Sequence, residues 1–464
     1  MRLTNDSAAS HTAFNNAWGI ASNGSTVHIV FDDDRIDNDN NYEIYYKRST
    51  DNGLTWSADI RLTNSFGWSK HPSIAISGQT IHIVWWDWRD GYKKIYYKRS
   101  TDNGVTWGTD TRIVDLLESF SISPSITVTE ENVHVTWVDD RDGNREIYYK
   151  HSTDGGLSWG PDTRLTIAEG NSIYPSISVV GQSVHLAWYD YRMAPAAIYY
   201  KRSTNNGTDW ESEVLLVNSA PHFAWDVCIS VNNQNIHIVW ADLRNAGDPE
   251  IYYKKSSDLG TTWGSDIRLT NDPNLSSYPS IIAVNGNVHV TWMDDRDGNP
   301  EIYYKLSTNE GNSWEGDLRL TNNPGGSAGA SVSVSGTYVY TAWYDGRDGN
   351  TEIYYKCNPT GNPLTGISTI NSEIPKKFSL SQNYPNPFNP MTKIQFAISK
   401  QSNISLKILD VTGKIVVSVI EDLQMSPGNY EEFFESKSLA SGVYFYSLYA
   451  DDILLETKKM VLLK

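Results

Sequence analysis

The sequence predicts an all-β chain, in which a seven-bladed β-propeller is followed by a small Ig-like β-sandwich. Three observations support this. A unit of four short strands recurs along three quarters of the 464 residues. No stretch has the 3.6-residue period of an amphipathic helix. The one strand missing from the end of the repeat region is present at its beginning. Four strands in a repeat of about 50 residues are typical of a propeller blade.

The repeat is defined by the tripeptide Ile-Tyr-Tyr, preceded by a strand-like run that ends in an aromatic residue. Six of these runs also carry a histidine three residues before the aromatic residue. We interpret these histidines as core residues, because equivalent positions around a ring do not converge on one metal ion. The seven tripeptides begin at Ile44, Ile95, Ile147, Ile198, Ile251, Ile302 and Ile353.

The number of blades follows from the two ends of the repeat region. No fourth-strand sequence follows the last Ile-Tyr-Tyr, but residues 2–5 (Arg-Leu-Thr-Asn) match residues 61–64 of the first repeat. We therefore expect the N-terminal residues to supply the outer strand of the last blade, which closes the ring and leaves no unpaired edge. The predicted propeller spans residues 1–357, and six blades are the alternative.

A turn motif lies between the third and fourth strands of six repeats. Its first copy is Ser-Thr-Asp-Asn-Gly-Leu-Thr-Trp at residues 49–56. An Asp side chain can accept backbone N–H bonds in an Asx-turn, Gly tolerates positive φ, and Trp can fold back between strands. We therefore interpret the motif as structural. Its third position is occupied by Asp51, Asp102, Asp154, Asn205, Asp258 and Asn309.

This motif resembles the Asp box, or BNR repeat, of the sialidase superfamily. The resemblance implies a β-propeller with the boxes opposite the active site, and its six-bladed sialidase form is the alternative architecture. It also implies three arginines on the substrate carboxylate, a Tyr–Glu nucleophile pair and an Asp acid/base. The Arg-Ile-Pro signature of the family does not occur in this sequence.

An Asp-x-Arg motif follows the second strand of every repeat. A catalytic site is asymmetric, so groups that recur in all repeats indicate scaffold, and we expect each Asp–Arg pair to tie its own hairpin. Carboxylate binding by some of these arginines is the alternative. The catalytic residues stay unknown at this stage. The arginines are Arg35, Arg89, Arg141, Arg192, Arg244, Arg296 and Arg347.

Aromatic residues that depart from the repeat predict a binding site. They lie in or beside the fourth-to-first and second-to-third connections, which share the propeller face opposite the turn boxes. Exposed rings on a loop-built face suit the apolar faces of sugars. The alternative is that they fill the central channel. The glycan-binding candidates are Trp18, Trp68, Trp86, Trp88, Tyr189, Tyr191 and Trp225.

The composition argues against some classes of binding partner. The net charge is −17, which argues against binding to nucleic acid or anionic lipid. No apolar run is long enough for a transmembrane segment. Asp37 and Asp39, in an acidic stretch unique to the first repeat, form a weak calcium candidate, and a solvated turn is the alternative. No other cofactor is expected.

The composition changes after the last repeat. Residues 358–377 are rich in Pro, Gly, Ser, Thr and Asn and indicate a linker. Residues 378–464 contain Asn-Tyr-Pro-Asn-Pro-Phe-Asn-Pro at 383–390, then alternating strands, and end in Lys-Lys-Met-Val-Leu-Leu-Lys. This segment resembles the type A C-terminal sorting domain of the type IX secretion system. The resemblance implies handling by that machinery and export to the medium or the outer-membrane surface.

The N-terminal segment, Met-Arg-Leu-Thr-Asn, is not followed by an apolar h-region, so the given sequence shows no signal peptide. Either the protein does not follow the usual secretion route, or the sequence begins after its signal peptide.

The sequence therefore predicts a secreted or cell-surface propeller that binds extracellular carbohydrate, as a lectin or as an accessory to polysaccharide use. A sialidase-type exo-glycoside hydrolase is the alternative, and a protein-binding propeller is a third option. The missing signature and the repeat symmetry favour binding without catalysis, whereas the family resemblance favours the hydrolase.

Overall fold

The computed structural model describes residues 1–5, 8–13, 19–35, 41–116, 118–193, 195–245, 247–358, 368–371, 375–389, 391–400, 402–425, 427–436 and 439–463. These residues form 36 β-strands. They separate into two compact units, Met1–Gly361 and Asn362–Lys464. The all-β class predicted from the sequence is confirmed. Most of the predicted linker lies outside the described residues.

In the first unit the strands form seven antiparallel sheets, numbered 1 to 7 below, in which strands pair in chain order except that β1 and β2 of sheet 1 both pair with β3. Sheet 1 contains β1 (Ser10–His11), β2 (Ile20–Asn23), β3 (Thr26–Asp33), β4 (Glu43–Ser49) and β5 (Ile60–Arg61). Sheet 2 contains β6 (Ser69–Ser77), β7 (Thr80–Asp87), β8 (Lys94–Ser100) and β9 (Thr111–Arg112), and sheet 3 contains β10 (Ser121–Thr129), β11 (Asn132–Asp139), β12 (Glu146–Ser152) and β13 (Thr163–Arg164).

The remaining sheets of this unit repeat the pattern. Sheet 4 contains β14 (Ser172–Val180), β15 (Ser183–Asp190), β16 (Ala197–Ser203) and β17 (Val214–Val217), and sheet 5 contains β18 (Ala224–Asn232), β19 (Asn235–Asp242), β20 (Glu250–Ser256) and β21 (Ile267–Arg268). Sheet 6 contains β22 (Ser276–Val284), β23 (Asn287–Asp294), β24 (Glu301–Ser307) and β25 (Leu318–Arg319), and sheet 7 contains β26 (Ser327–Ser335), β27 (Tyr338–Asp345) and β28 (Glu352–Asn358).

The sheets pack face to face in a ring, with the first strand of each sheet innermost. Each first strand contacts the next, and β26 of sheet 7 contacts β2 of sheet 1. Serine hydroxyls link neighbouring first strands. Ser176 Oγ accepts from the amide of Ile229 at 3.2 Å, and Ser331 Oγ accepts from the amide of Gly19 at 3.0 Å. The second bond joins the last sheet to the first, so the ring is closed.

The N-terminal residues complete sheet 7. Leu3 N donates to Ile353 O at 2.7 Å, and Tyr355 N donates to Met1 O at 2.9 Å. Arg2 reaches the Glu352 carboxylate at 2.5 Å. The first repeat contains the same contact, because Arg61 donates to Glu43 at 2.8 Å. The predicted pairing of the two ends of the repeat region is therefore confirmed.

The turn boxes have the hydrogen bonds expected from their sequence. Asp51 accepts from the amide of Thr55 at 2.8 Å and from its hydroxyl at 2.6 Å, and Ser49 Oγ donates to Asp51 at 2.6 Å. Hydrogen bonds from Ser49 and Thr55 lower the pKa of Asp51 to about 2. Asn205 accepts the equivalent amide bond from Asp209 at 2.9 Å.

Each turn box also contacts a tyrosine of the preceding sheet through its glycine and its tryptophan. We call this arrangement the tyrosine clamp. A Cβ on Gly104 would lie 1.9 Å from the hydroxyl oxygen of Tyr46 in sheet 1. Trp107 packs edge-on against Tyr46 with ring centroids 4.8 Å apart, and His28 Nδ1 is hydrogen-bonded to the Tyr46 hydroxyl at 2.5 Å. The other Tyr–Gly–Trp clamps are Tyr97–Gly156–Trp159, Tyr149–Gly207–Trp210, Tyr200–Gly260–Trp263, Tyr253–Gly311–Trp314 and Tyr355–Gly53–Trp56.

The second unit consists of two four-stranded sheets around its own core, which includes Ile394, Phe396, Leu406 and Tyr446. One sheet contains β29 (Ser368–Asn371), β30 (Ser379–Leu380), β31 (Met391–Ile398) and β34 (Gly428–Glu435), and the other contains β32 (Ser402–Leu409), β33 (Ile415–Met425), β35 (Gly442–Ala450) and β36 (Ile453–Leu462). Across the described ranges of both units, we find no helix with the length and apolar character needed to cross a membrane.

The closure by the N-terminal residues can be tested by deletion. Removing residues 1–5 exposes the edge of sheet 7, and we expect a loss of stability well beyond the roughly 0.5 kcal/mol of an ordinary surface change. Thermal unfolding and light scattering measure the loss and any aggregation. Asn5→Ala, which keeps the strand, is the control. An unchanged melting temperature after the deletion would show that the closing strand contributes nothing.

The tyrosine clamp predicts that two glycine substitutions lower the free energy of unfolding by different amounts. Gly104→Ala places a methyl group against Tyr46 at a φ of +79°, and we expect it to cost about 3 kcal/mol or more. Gly78→Ala has a φ of +58° with no neighbour within 4 Å, so we expect it to cost only about 1 kcal/mol. Denaturant midpoints give both values. Equal losses would mean that the clamp is not tight.

Candidate functional site

The two ends of each sheet build different faces of the ring. At one end the turn box meets the first hairpin, as where Asn103 N donates to Gln79 O at 2.9 Å. At the other end the fourth-to-first and second-to-third connections meet, as where Trp88 N donates to Trp68 O at 2.9 Å. We call the second of these the site face. It carries most of the residues that differ between repeats.

The repeated arginines are held within their own sheets. Arg89 donates to both oxygens of Asp87, at 2.8 and 2.6 Å, and to Asp110 at 2.7 Å. Its guanidinium also lies 4.3 Å from the ring centroid of Tyr96. These contacts occupy the donors that would bind a substrate carboxylate, so they favour the scaffold interpretation. Each arginine pairs with the Asp two residues before it in Arg35, Arg89, Arg141, Arg192, Arg244, Arg296 and Arg347.

A row of exposed aromatic rings crosses the site face at sheets 2 and 3. Trp68, Trp88 and Phe120 are 39%, 38% and 40% exposed. The centroids of Trp68 and Trp88 are 5.9 Å apart and those of Trp88 and Phe120 are 6.5 Å apart, both nearly perpendicular. Tyr92 adds a fourth ring, 5.5 Å from Phe120. We call these four rings the aromatic row.

Two of the aromatic candidates need correction. Trp86 is only 4% exposed and Tyr189 only 7%, so neither ring can stack directly on a ligand. His71 packs edge-on against Trp86 at 5.8 Å, and Tyr174 stacks on Tyr189 at 5.3 Å. Both rings therefore support the site face from below.

The remaining candidates differ in accessibility. Tyr191 is exposed and Trp225 is partly buried. Trp18 and the calcium candidates Asp37 and Asp39 lie outside the described residues, so calcium binding stays a prediction. Where the chain is described, no three His, Cys, Asp or Glu side chains are grouped to hold a metal ion.

Two lysines lie over this aromatic surface. Lys70 Nζ is 3.3 Å from the ring centroid of Tyr42, and Lys93 Nζ is 4.4 Å from that of Trp86 and 5.4 Å from that of Trp88. Beyond Phe120 a depression of about 240 Å³ opens in the surface. It is lined by Lys93, Phe120, Ile122, Val138, Asp140 and Arg145.

The innermost strands contribute a second set of unusual residues. Each of five first strands contains a β-bulge whose first extra residue has a φ between 51° and 53°. For residues other than Gly this conformation costs of order 1–3 kcal/mol and is concentrated at functional sites. The side-chain type changes from sheet to sheet, unlike the scaffold around it. The five residues are His71, Ser123, Tyr174, Asp226 and Tyr278.

Asp226 is the most unusual of these bulge residues. It is buried, and its Oδ2 has no hydrogen-bond partner among the described residues. Burial raises the pKa of Asp226 to about 7. Burial and then the Asp226 carboxylate raise the pKa of Tyr174 and of Tyr278. Asp226 is therefore a neutral carboxyl group near neutral pH, buried beneath this part of the site face.

Sequence reasoning missed Asp226 because it stands in no motif of its own. Aligning the repeats on Ser-x-x-Pro-Ser would have revealed it. His71, Ser123, Tyr174 and Tyr278 each precede the proline of that motif, and Asp226 is the one acidic residue at the aligned position.

The fold and the turn boxes define the class of this protein: an all-β propeller with an aspartate or asparagine turn box in six repeats, joined to a C-terminal secretion unit. Residues 382–463 match the family model described as "Secretion system C-terminal sorting domain". The match confirms the sorting domain predicted from the sequence. The protein is thus directed to the medium or to the outer-membrane surface.

Similar proteins include a xyloglucanase, Xgh74A of Acetivibrio thermocellus, which is 25% identical over 250 residues. The alignment covers 47% of this chain and 28% of the xyloglucanase, so the chain spans less than a third of the curated relatives that it matches. An ulvan lyase of family PL25 superposes with a TM-score of 0.54 and 10% identity, covering 75% of this chain and 93% of the lyase. The Hadza microbial sialidase Hz136 gives a TM-score of 0.44 and 18% identity, covering 61% of this chain and 63% of the sialidase.

Because Asp226 is buried, we expect the difference in unfolding free energy between the parent and a variant that lacks this carboxyl group to depend on pH. The unfolded chain releases this proton near pH 4 and the folded protein near pH 7, so folding stability falls as the pH rises between these values. Asp226→Asn removes the effect. We expect the variant to match the parent at pH 4 and to exceed it at pH 8 by up to about 4 kcal/mol.

Denaturant unfolding at the two pH values provides the measurement. The control is Asp248→Asn, which alters an exposed carboxylate. A constant difference between Asp226→Asn and the parent across this pH range would contradict the buried neutral carboxyl group.

Proposed function

We propose that the protein is an extracellular polysaccharide-binding propeller and that the site face is its binding surface. The aromatic row carries this proposal. Trp68, Trp88 and Phe120 are exposed side by side on a rigid scaffold, whereas the repeated tryptophans of the second strands are buried. Large exposed apolar groups placed together on a loop-built surface mark binding sites.

The geometry of the row suits a chain of sugars. Its rings are perpendicular to their neighbours rather than stacked, so they present faces and edges in alternation. Sugar rings have apolar faces that pack on aromatic rings, and their hydroxyl groups need polar partners at the rim. Asp140 lies beside Phe120 and supplies such an acceptor. Each aromatic contact contributes about 1 kcal/mol, so several together support binding of a polymer.

The comparisons support the same class of ligand. The sequence relative is a xyloglucanase and the structural relatives include an ulvan lyase, two proteins named for polysaccharides. The sorting domain directs the protein to a compartment where such polymers are present. A protein-binding role has no comparable support.

Polysaccharide cleavage is the second candidate function, and Asp226 favours it. A carboxyl group that stays protonated near neutral pH can donate a proton to a glycosidic oxygen, provided that the substrate displaces the residues that cover Asp226. Tyr174 and Tyr278 lie near it and supply further phenol groups. The test is to incubate polysaccharides with the full chain and measure reducing ends and unsaturated products. Product formation abolished by Asp226→Asn would establish cleavage, and no product from any substrate would leave binding as the function.

Substitutions in the aromatic row test the binding proposal. Trp88→Ala removes a ring that is not needed for the core, and we expect it to weaken binding about tenfold while leaving the melting temperature nearly unchanged. Trp68→Ala should act similarly. Affinity electrophoresis through gels that contain neutral or acidic polysaccharides measures the effect.

Leu157→Ala is the matched control, because Leu157 is an exposed apolar side chain in a turn box on the opposite face. It should bind like the parent. If Trp68→Ala and Trp88→Ala bind every retained polysaccharide like the parent, the site face is not the binding surface.

A further inference from the structure

Two cationic residues occupy the same repeat position in neighbouring sheets. Lys93 and Arg145 each come just before the third strand, and their carbonyl oxygens accept the amides of Ser121 and Ser172 in the next sheet, both at 2.8 Å. The backbone therefore fixes both residues at sheet junctions on the site face. The other five sheets carry no charge at this position, which holds Tyr42, Ala196, Pro249, Pro300 and Thr351.

Lys93 and Arg145 differ from other cations of the ring in their ion pairing within the described residues. Lys98 pairs with Asp110 at 2.9 Å, and the equivalent lysines of other sheets form similar ion pairs. Neither Lys93 nor Arg145 forms an ion pair with any residue in the described ranges. Burial, then Arg145 and Lys70, lower the pKa of Lys93, because the three cations repel one another.

The position of this charge is notable in a chain of net charge −17. Scaffold requirements do not explain it, since five sheets form the same junction without a cation. An anionic ligand would relieve the repulsion between Lys93 and Arg145. The adjoining aromatic rings, with Lys93 Nζ 5.4 Å from the centroid of Trp88, select an anion that also has an apolar face.

We infer that the bound polysaccharide is acidic, and that Lys93 and Arg145 bind its carboxylate or sulfate groups beside the aromatic row. This inference rests on the proposed function and specifies its ligand. The two cations line the depression next to Phe120, so a sugar ring packed on the row places its charged substituent within it. Asp140 also lines the depression, with its Oδ1 accepting the amide of Phe120 at 2.8 Å, so two positive charges stand against one negative charge there. Arg145 suits bidentate contact with an oxyanion, and Lys93 contributes a point charge.

Ion pairing also distinguishes Lys93 and Arg145 from the repeated arginines of the Asp-x-Arg motifs. Those arginines are already paired with carboxylates inside their sheets, so an anion would have to displace an internal ion pair. Lys93 and Arg145 can bind an anion without breaking any ion pair within the described residues. They are therefore the groups through which acidic and neutral polymers are discriminated.

Matched polymers and the full chain test the inference. The probes are polygalacturonate and its methyl ester, which differ in carboxylate charge, and κ-carrageenan and agarose, which differ in sulfate. In 50 mM salt we expect about tenfold tighter binding of the acidic member of at least one pair, declining with added salt. Which pair shows the difference identifies carboxylate or sulfate as the recognised group.

Substitutions of Lys93 and Arg145 test whether these two residues cause the preference for the acidic polymer. Lys93→Gln and Arg145→Gln should each weaken binding of the acidic polymer by about fivefold to tenfold and change binding of its neutral partner by less than about twofold. Lys255→Gln is the control, because it removes one positive charge from the end of β20 next to a turn box. It should change affinity less than about twofold.

The outcomes separate this inference from the proposed function. Equal binding of acidic and neutral polymers, unaffected by Lys93→Gln and Arg145→Gln, would overturn the inference while the binding function stands. The same holds if Lys255→Gln weakens acidic binding as much as they do. Absence of binding to all four polymers would overturn both.

Discussion

The tyrosine clamp is the contact on which the rest of the ring depends. In six of the seven repeats, one tyrosine of the Ile-Tyr-Tyr tripeptide leaves its own sheet and enters the turn box of the next, where a glycine leaves room for its hydroxyl and a tryptophan covers its ring. The buried histidine of the tyrosine's own sheet holds the hydroxyl from the other side. Each repeat can therefore bury its aromatic residues only against a neighbour, which makes an isolated repeat unstable and a closed ring stable.

The sequence accounts for the ring because the residues that form these contacts recur at fixed positions of the repeat. The turn boxes, the buried histidines and the pairing of residues 2–4 with the last repeat follow from spacing and residue type alone. Six of the seven junctions between sheets contain a clamp, since the seventh repeat has no turn box. Tyr355 nevertheless reaches the box at Gly53, so the last sheet is clamped to the first and the N-terminal strand covers its outer edge.

The site was less predictable because it depends on contacts between repeats. The sequence placed the two sets of connections on one face, where the structure also has them, but it did not predict which aromatic rings are exposed there. Trp86 and Trp88 are two residues apart, yet Lys93 and His71 cover the first and leave the second exposed. Asp226 was missed since its burial and its conformation arise from a β-bulge, which leaves no local signal in a single repeat.

A ring of equivalent sheets presents the same groups at every sheet, whereas a polysaccharide chain has two different ends. Distinguishing these ends through side-chain contacts requires different groups at the positions that the scaffold does not use. The structure breaks it in two places on one face. Exposed rings and the cations Lys93 and Arg145 lie at sheets 2 and 3, with Tyr174, Asp226 and Tyr278 at sheets 4 to 6. The two regions adjoin, because the carbonyl oxygen of Arg145 accepts the amide of Ser172, two residues before Tyr174, at 2.8 Å. A chain held by the first region and extending into the second would meet chemically different groups along its length, which is the condition for orientation.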